Sequence, residues 1–206
     1  MTFFGTFLRS AGTAAMAALV LAPLPARAGA QVEEQLAPSV VTVLSQSISD
    51  RPVPTDYVNR GELQTWLHEM SQRLATKIGD VRAREDFLGA VHYEATRAGL
   101  DPQLVLGVIQ YESAFRKYAI STAGARGYMQ VMPFWVKLIG QPSHNLFHLR
   151  TNLAYGCAIL RLYLDVEKGD YFRALGRYNG SLGQPDYPNL VLTAWRGRWK
   201  YDGPIG

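Results

Sequence analysis

Residues 101–133 read DPQLVLGVIQYESAFRKYAISTAGARGYMQVMP, and the rest of the chain is arranged around them. Asp101 is an N-cap and Pro102 suits a first helical position, where an amide hydrogen has no intrahelical acceptor. The segment therefore predicts a helix that starts at Asp101 and ends near Glu112. Counting back from Glu112 by three, four and seven residues reaches Ile109, Val108 and Val105, so the carboxyl shares an aliphatic face. Gln103, Gly107 and Gln110 fall on the opposite side, which reads as the hydrophilic one. A carboxyl at the end of an apolar stripe loses hydration, its charged form is disfavoured, and its pKa rises. Such a group stays protonated near neutral pH and acts as a general acid. The competing reading has Glu112 end the helix in solvent or pair with Arg116, four residues on. Spacing alone leaves both readings open.

Working outward, the pattern is helical throughout. Residues 31–47 carry a helical apolar pattern interrupted by Pro38, and the following SISDRPVPTDY, with two prolines, reads as a connector. Leu63, Trp66, Leu67, Met70 and Leu74 predict a helix from about Gly61 to Ile78. Phe87, Leu88, Val91 and Ala95 predict another from about Val81 to Ala98, which Gly99 ends. A third runs from Thr151 to about Val166, with Leu153, Cys157, Leu160 and Leu164 at core spacing. A short helix leads into Tyr178 and Asn179, and a last one turns Leu190, Val191, Ala194 and Trp195 inward. No alternation is long enough to predict a sheet.

Three ordered blocks carry a family resemblance. Glu112 and Ser113 form a Glu-Ser pair, followed by Ser121, the Gly124 to Gly127 loop and GYMQVMP from Gly127 to Pro133. ALGRYNGSLG then presents Tyr178 and Asn179 as an Ala-Tyr-Asn type motif, and Asn152 with Gly156 matches an Asn-x-x-x-Gly segment. Together they resemble the family 1 lytic transglycosylases, whose soluble-lytic-transglycosylase domain cuts peptidoglycan, over roughly residues 85 to 195. Tyr128 stands where that family usually has Leu, and Arg177 where it has Ala. The resemblance implies a mainly α, lysozyme-like domain with an N-terminal helical extension. It implies Glu112 as the catalytic acid, Ser121 hydrogen-bonding near it, and Gln130 contacting polar groups of the sugar. It implies Tyr128, Met129 and Met132 at the cleft, with Ser113, Tyr178 and Asn179 supporting the acid. A hydrogen bond from the Tyr178 phenol to the Glu112 carboxyl is the expected support.

Residues 1–28 place Arg9 ahead of an apolar run, Ala11 to Leu21, and end in a small-x-small pattern at Ala26 to Ala28. This reads as a secretory signal peptide cut after Ala28, the apolar run falling short of the roughly 20 residues a membrane-spanning helix needs. The expected organisation is thus a leader (1–28), a helical extension and connector (29–80) and a catalytic domain (81–206), exported to the periplasm. Removing the leader leaves 19 basic against 17 acidic residues. So even a balance argues against a nucleic-acid ligand, for which a concentrated basic stripe is expected. The sole cysteine, Cys157, cannot form an internal disulfide and reads as a buried small hydrophobe. His68 lacks a second histidine four residues on, and His144 with His148 lacks a third ligand, so no metal and no other cofactor is expected.

The carboxylates set the expected chemistry. Two-acid glycosidases hold their carboxyls roughly 5 to 9.5 Å apart. Within the matched blocks only Glu112 is available. A single acid protonates the glycosidic oxygen and, once ionised, takes the proton of the sugar's own 6-hydroxyl, which attacks intramolecularly. The expected product is a 1,6-anhydromuramoyl end, made from glycan strands by a monomer with unidentified envelope partners. Two alternatives remain: a hydrolytic muramidase resembling goose-type lysozymes, with Asp170 or Asp186 as second acid, and a non-catalytic glycan-binding scaffold.

Overall fold

A computed structural model describes residues 31–48, 54, 57 and 61–203. The leader assigned to residues 1–28 and most of the connector at 49–60 lie outside the described residues. The described chain is mainly helical, as expected, with eight helices: α1 (Pro38–Ser47), α2 (Gly61–Leu74), α3 (Val81–Arg97), α4 (Pro102–Glu112), α5 (Phe134–Ile139), α6 (Leu149–Val166), α7 (Tyr171–Asn179) and α8 (Asp186–Arg196). Among the described residues, β-structure is confined to two isolated antiparallel bridges, Ile120 with Arg126 and Arg126 with Val131.

Helix α4 is the axis. Asp101 caps it by accepting the Gln103 amide hydrogen at 2.7 Å. Pro102 and every residue from Gln103 to Ile109 are buried. The face read as hydrophilic is therefore covered, because α8 packs on it. Gly107 makes that approach possible: a Cβ there would stand 3.2 Å from the Val191 carbonyl oxygen. The two glutamines on this side are matched rather than hydrated. Gln110 Oε1 accepts from Trp199 Nε1 at 2.9 Å, and Gln103 Oε1 accepts from the Tyr201 amide. Segment 197–201 thus folds back onto α4, with Trp199 fully buried.

The other helices surround this axis. Helix α3 packs on α2, α4 and α6, α7 packs on α6 and α8, and α1 lies against α5 and α6. Helix α2 ends at Leu74, four residues earlier than its periodicity suggests, and the Arg84 guanidinium accounts for the chain beyond it. Its Nη1 donates to the Ile78 and Gly79 carbonyls, each at 2.8 Å. On α8 the buried stripe is Tyr187, Val191 and Ala194, whereas Leu190 is 47% exposed and not inward as expected. Trp195 is half-buried and donates its Nε1–H to Asp101 Oδ2 at 2.7 Å, tying α8 to the start of α4. Cys157 is buried in the core, where desolvation holds its thiol well above the usual range.

Candidate active site

Glu112 is the last residue of α4 and only 5% exposed. The solvent or Arg116 alternative does not apply, since the exposed Arg116 turns back and donates from Nε to the Ser113 carbonyl at 3.0 Å. Burial pushes the Glu112 carboxyl up to about 7, and the negative end of the α4 dipole acts in the same direction. The side chains of Tyr187 and Asn179 stand beside it and favour its charged form, without overcoming burial. Neither the Tyr187 hydroxyl nor Asn179 Nδ2 completes a hydrogen bond of ordinary geometry, although both are buried. Two polar groups with unused capacity therefore face a carboxyl that has no cationic partner.

The backbone around Glu112 is bent into place. Ala114 and Phe115, immediately after α4, both have positive φ, 50° and 65°, and Gln130 has φ 48°. Non-glycine residues in this region cost about 1–3 kcal/mol each and persist only where the surroundings impose them. Here the Phe115 ring is buried edge-on against Phe87 and Trp199, with centroids 6.0 and 5.5 Å away. Ser113 is buried too, its Oγ donating to the Ile109 carbonyl at 3.2 Å.

The GYMQVMP segment is pinned from α6. Asn152, fully buried, accepts the Met129 amide hydrogen and donates to the Arg126 and Leu146 carbonyls, each at 2.8 Å. One turn on, Gly156 leaves room for Met129: a Cβ there would meet Met129 Sδ at 2.4 Å. Gly127 has φ 75°, and a Cβ at that position would lie 2.5 Å from both Asn152 Nδ2 and the Leu146 carbonyl oxygen. The Asn-x-x-x-Gly segment of α6 is thus a staple for this loop.

This arrangement reassigns several expected contacts. Tyr178 is buried, but its hydroxyl donates to the Met129 carbonyl at 2.8 Å and not to Glu112. The phenol beside Glu112 is Tyr187, which no sequence block marked; it is 75 residues away and reaches the site only because α8 packs on α4. Gln130 is 3% exposed, and its Nε2 donates to the Ala119 and Gly127 carbonyls at 3.1 and 2.9 Å. Both amide hydrogens are consumed in holding the loop, so they are not offered to a sugar. Met129 is fully buried under the loop, not at a cleft wall, while Met132 is half-buried. Ser121 Oγ accepts the Ala125 amide hydrogen at 3.1 Å, closing the loop on itself. Tyr128 packs on Phe87 at a centroid distance of 4.9 Å. Trp135 is buried and Phe134 half-buried.

The other acids near the matched blocks are committed elsewhere or exposed. Asp170 caps α7 by accepting the Arg173 amide hydrogen at 3.1 Å. Glu167 is held below the usual carboxylate range by hydrogen bonds from Arg173 and Arg177. Asp186 is exposed at the start of α8. Among the described residues no cluster of His, Cys, Asp or Glu is placed to hold a metal ion.

Known proteins match the part of the chain that holds this site. The family described as the Transglycosylase SLT domain matches residues 89–187, which contain Glu112, the pinned loop and both Tyr178 and Tyr187. "Membrane-bound lytic murein transglycosylase C" of Histophilus somni is 44% identical over 119 residues, covering 50% of this chain and 32% of that protein. The same-named protein of Mannheimia succiniciproducens is 39% identical over 105 residues, covering 47% of this chain and 28% of its own length. A "Transglycosylase" of Enterobacteria phage PRD1 is 40% identical over 113 residues, covering 52% and 42%. The chain thus spans less than half the length of each of these relatives. A solved structure of an inactive mutant of lytic transglycosylase Slt from Pseudomonas aeruginosa is similar over 85% of this chain and 35% of its own, with 19% identity and a TM-score of 0.43.

Proposed function

We propose that the protein, whose residues 89–187 match the Transglycosylase SLT domain, is a peptidoglycan lytic transglycosylase with Glu112 as its single acid and base. It cleaves the β-1,4 bond between N-acetylmuramic acid and N-acetylglucosamine without water. The observation that carries this reading is the Glu112 carboxyl, buried without a cationic partner and raised to about 7. At neutral pH such a group is divided between its two forms, so it is competent first to donate a proton and then to accept one. Glu112 gives its proton to the glycosidic oxygen as that bond breaks. The ionised carboxylate then takes the proton of the sugar's 6-hydroxyl, whose oxygen closes on C1 to form the 1,6-anhydro ring. Proximity of the attacking hydroxyl replaces the positioned water of a two-acid site. Tyr187 and Asn179 would stabilise the carboxylate in the interval between the two transfers.

The hydrolytic alternative draws no support from Asp170, which caps α7, or from Asp186, which is exposed. We place the protein in the periplasm, acting on glycan strands as a monomer. Among the described residues no helix is long and apolar enough to cross a membrane. Mass spectrometry of fragments released from purified peptidoglycan tests the reading. Muramoyl ends about 18 Da lighter than hydrolytic ones are expected from loss of one water. Reducing ends would reassign the protein to the hydrolases.

A further inference from the structure

Residues 31–37 form no helix, yet Gln31 is only 4% exposed. Its carboxamide is inserted against the segment that follows Met129. Gln31 Oε1 accepts the Met132 amide hydrogen at 3.1 Å, and Nε2 donates to the Gln130 carbonyl at 3.4 Å. The same side chain approaches the Tyr178 hydroxyl, and Tyr178 lies within electrostatic reach of Glu112. Three residues on, Glu34 Oε1 pairs with Arg177 Nη1 at 2.8 Å. The arm therefore runs from the 130–132 backbone to α7, the helix that brings Asn179 to Glu112.

A backbone amide hydrogen and a carbonyl exposed to one side chain in this way form a donor–acceptor pair. A carboxamide satisfies both, and so does an acetamido group, which likewise offers one accepting carbonyl and one donating N–H. We propose that residues 31–37 are a self-occupying strap: the Gln31 carboxamide fills the Met132 N–H and Gln130 C=O position that an acetamido group of an N-acetylated glycan takes once the arm leaves, and the Glu34–Arg177 pair is its latch. The inference rests on the reading of the substrate as an N-acetylated glycan.

The strap is held weakly enough to open. One of its hydrogen bonds is long, and the latch partners are 43% and 21% exposed. Two neutral hydrogen bonds and one half-exposed ion pair favour the docked arm by on the order of tenfold to a hundredfold. A ligand competing with the arm has its apparent affinity lowered by the same factor.

The full chain and its Gln31→Ala and Glu34→Gln variants are titrated by calorimetry with a soluble, peptide-free tetramer of N-acetylglucosamine. In parallel, fragment release from peptidoglycan is measured. Gln31→Ala is expected to bind the tetramer about tenfold more tightly and to lower KM with kcat unchanged. Glu34→Gln should give about threefold. Raising the salt concentration should tighten binding to the wild-type chain by the Glu34→Gln factor and leave Glu34→Gln unmoved. Weaker binding by Gln31→Ala would make the carboxamide part of the binding surface and overturn the strap. Unchanged affinity in both variants with a lowered Tm would reduce the arm to packing and overturn it equally. Tighter binding with no fragment release by any chain would keep the strap and refute the transglycosylase. Release by the wild-type chain with the same KM in Gln31→Ala would do the reverse.

Discussion

Among the described residues two glutamates are buried, and they have opposite surroundings. Glu94 on α3 is 2% exposed and lies between two guanidiniums, Arg97 at 2.8 Å and Arg150 at 2.6 Å. Glu112 on α4 is 5% exposed and has a phenol and an amide beside it, but no cation. Burial raises both carboxyls above the ordinary range, and at Glu94 the two arginines oppose it. Burial alone therefore does not distinguish a carboxyl free to exchange its proton from one held in an ion pair. The partner does: Glu94 ties α3 to α6 through Arg150, whereas Glu112 has no cation beside it to hold it in its charged form.

The largest expected effect separates the two by activity. Glu112→Gln should cut fragment release by at least about 10³-fold, within the range of a general acid, while the protein stays folded. Glu94→Gln should keep activity within a few-fold, and equal losses in the two variants would dissolve the contrast. Stability supplies the next test. Because the folded Glu112 carboxyl titrates near 7 rather than 4.5, the native state binds more protons than the unfolded chain between those values. Wild-type stability therefore falls as pH rises through that window and levels off above it. Glu112→Gln removes this liability, so denaturation at pH 8 should find the variant more stable by on the order of 3 kcal/mol, with no gain below about pH 4.5.

Glu94→Ala should move the other way. It leaves Arg97 and Arg150 facing each other without their shared anion, and urea denaturation should report a loss of about 2 kcal/mol. A gain would mean that the ion pair costs more in desolvation than it returns. The smallest effect concerns tuning. Tyr187 favours the charged form of Glu112, so Tyr187→Phe should raise that pKa further and shift the alkaline limb of kcat/KM upward from about 7 by up to about one unit. A downward shift would show that the phenol stabilises the protonated carboxyl instead.

The readable parts of this site share a physical character. Helix α4 was legible at both ends because Asp101 and Pro102 are local signals and because three- and four-residue spacing needs only the helix itself. Asn152 and Gly156 were legible as a motif, but their work was not. That a carboxamide would clasp three backbone groups, and that a missing Cβ would admit Met129, depends on the loop and α6 meeting. Gln130 shows the same limit from the other side. Its residue type suits a sugar contact, yet the turn with φ 48° directs its amide hydrogens into the loop.

What the sequence determined by itself was the mainly helical class, the axis helix and the acid at its end, because these follow from periodicity and capping within a few residues. Only the tertiary structure decided which phenol meets that acid. Tyr178 lies one residue from Asn179 and still turns to the Met129 carbonyl, while Tyr187 comes to the carboxyl from the neighbouring helix. Gln31 reaches the 130–132 backbone across about a hundred residues of sequence. Contacts of that range are set by how helices pack, and α8 packs on α4 closely because Gly107 has no side chain to prevent it.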